Sequence, residues 1–182
     1  MRHLTAFTIF ALLSAGLVFG QDTPAPRAKP GFSALRYTQL KPCAFVYTTV
    51  RGAVDEKLGT AIRDRIDAVR TGINSAEVPP IAGPVFVYHG SDPGKEMIVD
   101  IGFPVADNTP AIPGMEVGRL ESGLAATSIY TGPTTGMNLG HLYSEIEAAG
   151  HVPSGVMRVR NLYYEDDKSQ NNIVMIEILL QK

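Results

Sequence analysis

Two carboxylates set inside apolar strands are the residues of this chain best suited to chemistry. Asp100 stands within MIVDIGFPV (97–105) and Glu177 within IVMIEILLQ (173–181). A carboxylate on an apolar surface loses hydration, so either its pKa rises or its charge meets a partner. Such a group is a natural receptor for a cation. Alternate residues of a strand share a face, so Glu177 sides with Ile173, Met175 and Leu179, while Val174, Ile176, Ile178 and Leu180 point the other way. Both faces are apolar, so one covers a core and the other meets a second apolar surface or lines a cavity. Asp100, with Ile98 and Gly102 on its face, holds the same place in the earlier stretch, and of the two acids Glu177 is the stronger candidate.

Each acid closes the same run of elements. Residues 44–50 (AFVYTTV) are β-branched and aromatic and end at Arg51-Gly52, which reads as a strand and a turn. A helix follows. Asp55 and Glu56 suit its first turn, and Val54, Leu58, Ala61, Ile62, Ile66, Val69 and Ile73 make one apolar stripe opposite a charge-mixed solvent face. Gly72 and Pro79-Pro80 are expected to stop it. The run 85–90 (VFVYHG), a tight turn over 91–95 and a strand over 96–105 then form a hairpin. Beyond a connector at 108–114, strands over 115–120 and 124–131 lead to a helix capped by Asn138 and terminated by Gly150, and a hairpin of 156–164 and 173–180 completes the chain. One unit of roughly 60 residues is therefore used twice, over about 35–105 and 115–182. Duplication of this kind predicts a two-lobed binding module with its chemistry in the middle.

The ends and the composition narrow the class. Arg2 and His3 precede an apolar run, 4–19, that is short for a membrane span and finishes in small residues, so 1–20 is expected to be a cleavable secretory signal. Residues 21–31, rich in Pro and Ala, suit an extended tether, and 32–182 a single domain with one core. The place of action expected from this is the periplasm or the external medium, with no stable membrane insertion after cleavage. A net charge of −2 without any basic stripe lacks the footprint that phosphates require, so no nucleic-acid partner is expected. Cys43 is the one cysteine, which excludes an internal disulfide and, without a second thiol or a His cluster, a thiolate metal site. It reads as a small hydrophobe at a strand start. Neither metal nor other cofactor is expected.

The segment GPVFVYHGSDPGKEMIVDIGFPV (83–105), then SIYTGP (128–133), the helix NLGHLYSEIEAAGH and a tyrosine-bearing hairpin ending in IEILL together resemble the GyrI-like small-molecule-binding domain. That family includes the effector-binding domains of drug-responsive bacterial transcription regulators. The resemblance runs from about Leu35 to the end. It implies an α+β fold of duplicated βαββ units with pseudo-twofold symmetry: an antiparallel sheet with helices on one side and a central ligand cleft. It also places Glu177 at the base of that cleft, with Tyr164 or its neighbour Tyr163, and Tyr130, at the family's tyrosine positions; Asp100, Met175 and Tyr88 are taken as further ligand-binding candidates. Only one of Tyr163 and Tyr164 can face the cleft.

Aromatic faces beside one acid attract organic cations, so the expected partner is a small organic molecule, hydrophobic or aromatic and cationic. The chain departs from the regulators in two ways: nothing before Phe32 reads as a helix-turn-helix, and there is no Trp. An exported binding protein is the reading that remains. Two alternatives stand beside it. Some members of the family are hydrolases of strained electrophiles, and here Glu177 would act as general base with Tyr130 or Tyr164 as donor. A related duplicated fold binds haem, for which His89, His141 and His151 are the candidate ligands.

Overall fold

The computed structural model describes residues 30–53, 56–90, 96–135 and 137–182. The residues expected to form the signal, most of those expected to form the tether, the expected turn at 91–95, and Val54 and Asp55, expected at the helix start, lie outside them. In chain order the elements are β1 (Gly31–Phe32), β2 (Arg36–Leu40), β3 (Cys43–Gly52), α1 (Glu56–Ser75), β4 (Val85–His89), β5 (Met97–Val105), β6 (Glu116–Leu120), β7 (Gly123–Thr131), α2 (Gly140–Ala148), β8 (Pro153–Tyr163) and β9 (Ile173–Leu180).

The strands form one antiparallel sheet whose central order, β7-β9-β8-β4-β5-β3, reads the same from either end when the two βαββ units are exchanged. The pseudo-twofold axis passes between β4 and β8. Both helices cover one face. Leu58, Val69 and Ile73 of α1 pack on Val46, Val50, Val99, Ile101 and Phe103. Leu142 and Ile146 of α2 pack on Ala126, Val174, Ile176 and Ile178. Phe86 and Tyr88 of β4 touch both clusters and join them into a continuous core.

A feature absent from the sequence reading closes the other face. β2 pairs with β7 and β3 with β6 in one unbroken antiparallel register, from Arg36↔Thr127 through Leu40↔Gly123 and Cys43↔Leu120 to Tyr47↔Glu116. Only Lys41-Pro42 and Glu121-Ser122 separate the paired stretches, and a link of two residues spans about 10 Å at most. β3 and β7 lie on opposite sides of the sheet, so it must curl until they nearly meet. The result is a half-barrel whose concave face is crossed at its waist by this two-stranded ribbon.

Three local expectations change. Gly72 does not stop α1, which runs on to Ser75 and closes with Val78 N donating to Ile73 O at 2.9 Å and Glu77 in the left-handed region at φ 53°. The missing Cβ of Gly72 instead leaves room for the Met115 side chain. β8 begins at Pro153, three residues before the expected start, and carries register irregularities on both sides of its centre. The N-cap of α2 is Leu139 rather than Asn138, which stands one residue earlier with its Oδ1 accepting from Gly140 N at 2.8 Å, and Gly150 sits at φ 80° behind the helix.

Candidate functional site

Strand register lines up one transverse row on the concave face: Thr49, Asp100, Val87, Arg158, Glu177 and Thr127, each directly opposite the next. Val87 and Arg158 flank the pseudo-twofold axis. On either side of them, the row and the next position on β4 and β8 give two equivalent sets of base, acid and hydroxyl: His89, Asp100 and Thr49 in the first unit, and Arg160, Glu177 and Thr127 in the second. The sets differ in what they have left to offer.

The first set opens onto a cavity of about 240 Å³, lined by Phe45, Tyr47, Val87, Asp100 and Arg158 among others. Asp100 Oδ1 accepts from Thr49 Oγ1 at 2.7 Å, and Oδ2 lies 2.6 Å from His89 Nε2. The Asp100 side chain is 18% exposed and that of His89 40%, so the pair borders solvent without being washed by it. Phe45 and Tyr47 stack with centroids 5.2 Å apart and planes 9° from parallel, making an aromatic wall. Two glycines seat that wall: Gly102 directly opposite Tyr47, and Gly118 opposite Phe45 with the Tyr47 ring lying against it. The Tyr47 hydroxyl donates to Glu116 Oε2 at 3.0 Å, and burial, then this bond and the nearby carboxylates, raise its pKa. The volume is below that of drug-sized sites, which fits a ligand of about one ring.

The second set is closed upon itself. Glu177 is 4% exposed and is met at Oε2 by Arg160 Nε at 3.2 Å. The cation that Glu177 was expected to receive is therefore supplied from the facing strand. Gly123 and Ala125 stand where the first unit has Phe45 and Tyr47, so this half has no aromatic wall. Met175 is on the same concave face, opposite Arg160.

The tyrosines distribute otherwise than the resemblance implied. Tyr130 and Tyr88 are on the helix side: Tyr130 is 8% exposed in the α2 cluster with its hydroxyl donating to Pro133 O at 2.8 Å, and Tyr88 bridges the two core clusters. Tyr130, one of the two donors named for a hydrolase, thus lies on the opposite face of the sheet from Glu177. Tyr163 shares the concave side through its pairing with Ile173, and its hydroxyl donates to Glu165 at 2.7 Å. Tyr164 lies past the strand end, donating to Asp167, which in turn pairs with Arg63 of α1. His141 and His151 rest against the rings of Phe32 and Tyr37, and neither lines the cavity beside Asp100. Among the described residues no group of three or more His, Cys, Asp or Glu could hold a metal ion. No helix among them is long and apolar enough to cross a membrane.

Desolvation and the 2.6 Å bond to Asp167 push the Tyr164 pKa up to about 12. A folded-state value above the ordinary 10.0 means that the folded protein holds this phenol proton more tightly than the unfolded chain, so stability falls as pH rises from 10.0 through about 12. An alkaline absorbance titration of Tyr164→Phe is expected to lack one phenol step near that pH; loss of a step near the ordinary value would refute the contact.

Phe45, Tyr47 and Arg158 line the site without having been singled out in the sequence, and His89 was singled out there only as a candidate haem ligand. A signal was present for two of these features: F-x-Y in 45–47 and R-x-R in 158–160 each repeat a type at the strand period.

No protein-family model matches the chain, and no curated protein matches it in sequence. Solved structures do match its fold. SAV2435 bound to tetraphenylphosphonium aligns with TM-score 0.58 and 13% identity over 82% of this chain and 94% of the other. The EcmrR C-terminal domain gives 0.61 and 16% over 82% and 98%, and a hydrolase from Listeria innocua 0.55 and 11% over 81% and 91%.

Proposed function

We propose that this chain, with its GyrI-like fold, binds a small aromatic cation in the Asp100 pocket. The observation that carries the reading is one poorly hydrated carboxylate beside a stacked aromatic wall, in a cavity sized for about one ring. A cation there gains a charge pair in reduced dielectric and attraction to the ring faces. SAV2435, whose structure holds an organic phosphonium, has the same fold, which supports the class of ligand. The acid that serves is Asp100, in the place the sequence reading gave to Glu177. Export belongs to the same proposal: the signal-like residues 1–20 would be removed and the domain would act outside the cytoplasm, as N-terminal sequencing of protein from its native cells would test.

Phenyltrimethylammonium tests the site. The protein is expected to bind it, and Asp100→Asn, which keeps the shape and removes the charge, is expected to weaken binding about tenfold, equivalent to about 1.4 kcal/mol. Calorimetry reads both. Equal affinity for the two proteins would remove Asp100 from the site.

A further inference from the structure

Arg158 is the least satisfied charge on the concave face. It is 2% exposed, yet its one hydrogen bond among the described residues is from Nη2 to the backbone carbonyl of Glu121 at 2.7 Å, and its Nε has no partner there. The neighbouring carboxylate, Glu177, is paired with Arg160 instead. Two guanidinium groups therefore share one acid, and the one without an ion pair is the one that lines the pocket. A buried cation left in that condition is costly, and burial pushes its pKa down.

The internal symmetry sharpens the point. The residue equivalent to Arg158 is Val87, across the axis and directly opposite. An apolar side chain thus suffices for packing at this place in the fold, and the guanidinium has some other use. Along the row, Asp100 and Arg158 are separated only by Val87, two strand spacings or about 10 Å between Cα atoms. A carboxylate and a guanidinium at that separation, on the floor and flank of a cavity with an aromatic wall, match a ring that carries opposite charges at its two ends.

Resting on the ligand class proposed above, we infer that the natural occupant is amphoteric: an aromatic molecule with a cationic group toward Asp100 and a carboxylate or similar anion toward Arg158. The anion would give Arg158 the charge-assisted bond that the protein does not supply.

Three probes test this by calorimetry: phenyltrimethylammonium, 4-(trimethylammonio)benzoate and benzoate. The zwitterion is expected to bind at least about tenfold more tightly than the plain cation, from one added charge-assisted bond. Arg158→Gln is expected to abolish that advantage, while the plain cation, relieved of one nearby positive charge, binds no more weakly than to the original protein. If the cation binds as well as the zwitterion, the amphoteric ligand is wrong and the cation pocket stands; if benzoate matches the zwitterion, the ligand is an acid and this inference fails. Binding of none of the three overturns both readings. A purely structural clasp between Arg158 and the ribbon would lower the melting temperature of Arg158→Gln and weaken cation and zwitterion alike, which also overturns the inference. Should that variant not fold, the ratio of probe affinities in the unaltered protein still decides.

Discussion

Glu177→Ala is expected to destabilise the protein by about 3–5 kcal/mol, the usual cost of removing one partner from a buried ion pair. The reason is what it leaves behind. Arg160, whose side chain is 23% exposed, and Arg158, at 2%, would then face each other's charge on one side of the sheet with no carboxylate between them. At this chain length each kcal/mol moves the melting temperature by roughly 2–4 °C, so a drop on the order of 10 °C should appear in thermal unfolding. The double variant Glu177→Met with Arg160→Met removes both members of the pair and should recover part of the loss, because an apolar pair of similar size leaves only Arg158 to be solvated. A Glu177→Ala protein that melts within about a degree of the original, but no longer binds phenyltrimethylammonium, would mean that Arg160 swings away and that Glu177 receives the ligand after all.

That contrast also marks where the sequence stopped being readable. The two βαββ units could be read because each is built from local patterns: strand alternation, one helical stripe, and Gly or Pro at the breaks. The two acids could be read for the same reason, since a charge in MIVDIGFPV or IVMIEILLQ violates a local pattern. What an acid does, however, depends on the residue across from it. Asp100 faces Val87 and Glu177 faces Arg158, with Arg160 two positions on, and such pairings depend on the exact hairpin register, which local patterns leave open. The ribbon was hidden for a related reason. β2 is RYTQL, five mostly exposed residues without alternation, and it is a strand only because β7 offers it an edge. The concave wall then follows from the ribbon, since β6 is what brings Gly118 against Tyr47.

The wall itself rests on two glycines whose substitution should separate folding from binding. At Gly102 of β5 a Cβ would overlap the Val46 carbonyl oxygen and come within 2.7 Å of Tyr47 Cα. Both are backbone atoms of β3, held in register from Ala44 to Gly52, so neither can turn aside, and β3 must move as a strand. Gly102→Ala is therefore expected to cost about 3 kcal/mol, the upper part of the range for overpacking a filled interior. At Gly118 the nearest atom to an added Cβ is Cε1 of the Tyr47 ring, at 3.0 Å, with the hydroxyl at 3.5 Å. A ring can swing about its side-chain torsions, so Gly118→Ala should lose less than about 1 kcal/mol while tilting Tyr47 off Phe45. With the stacked wall disturbed, affinity for phenyltrimethylammonium should fall several-fold, within the range of one exposed cation–π contact. Urea unfolding and calorimetry on the two variants distinguish the cases. If Gly118→Ala binds the cation unchanged, Tyr47 does not form the ligand's wall; if Gly102→Ala is as stable as the original, β3 and β5 are not packed as closely as their register requires.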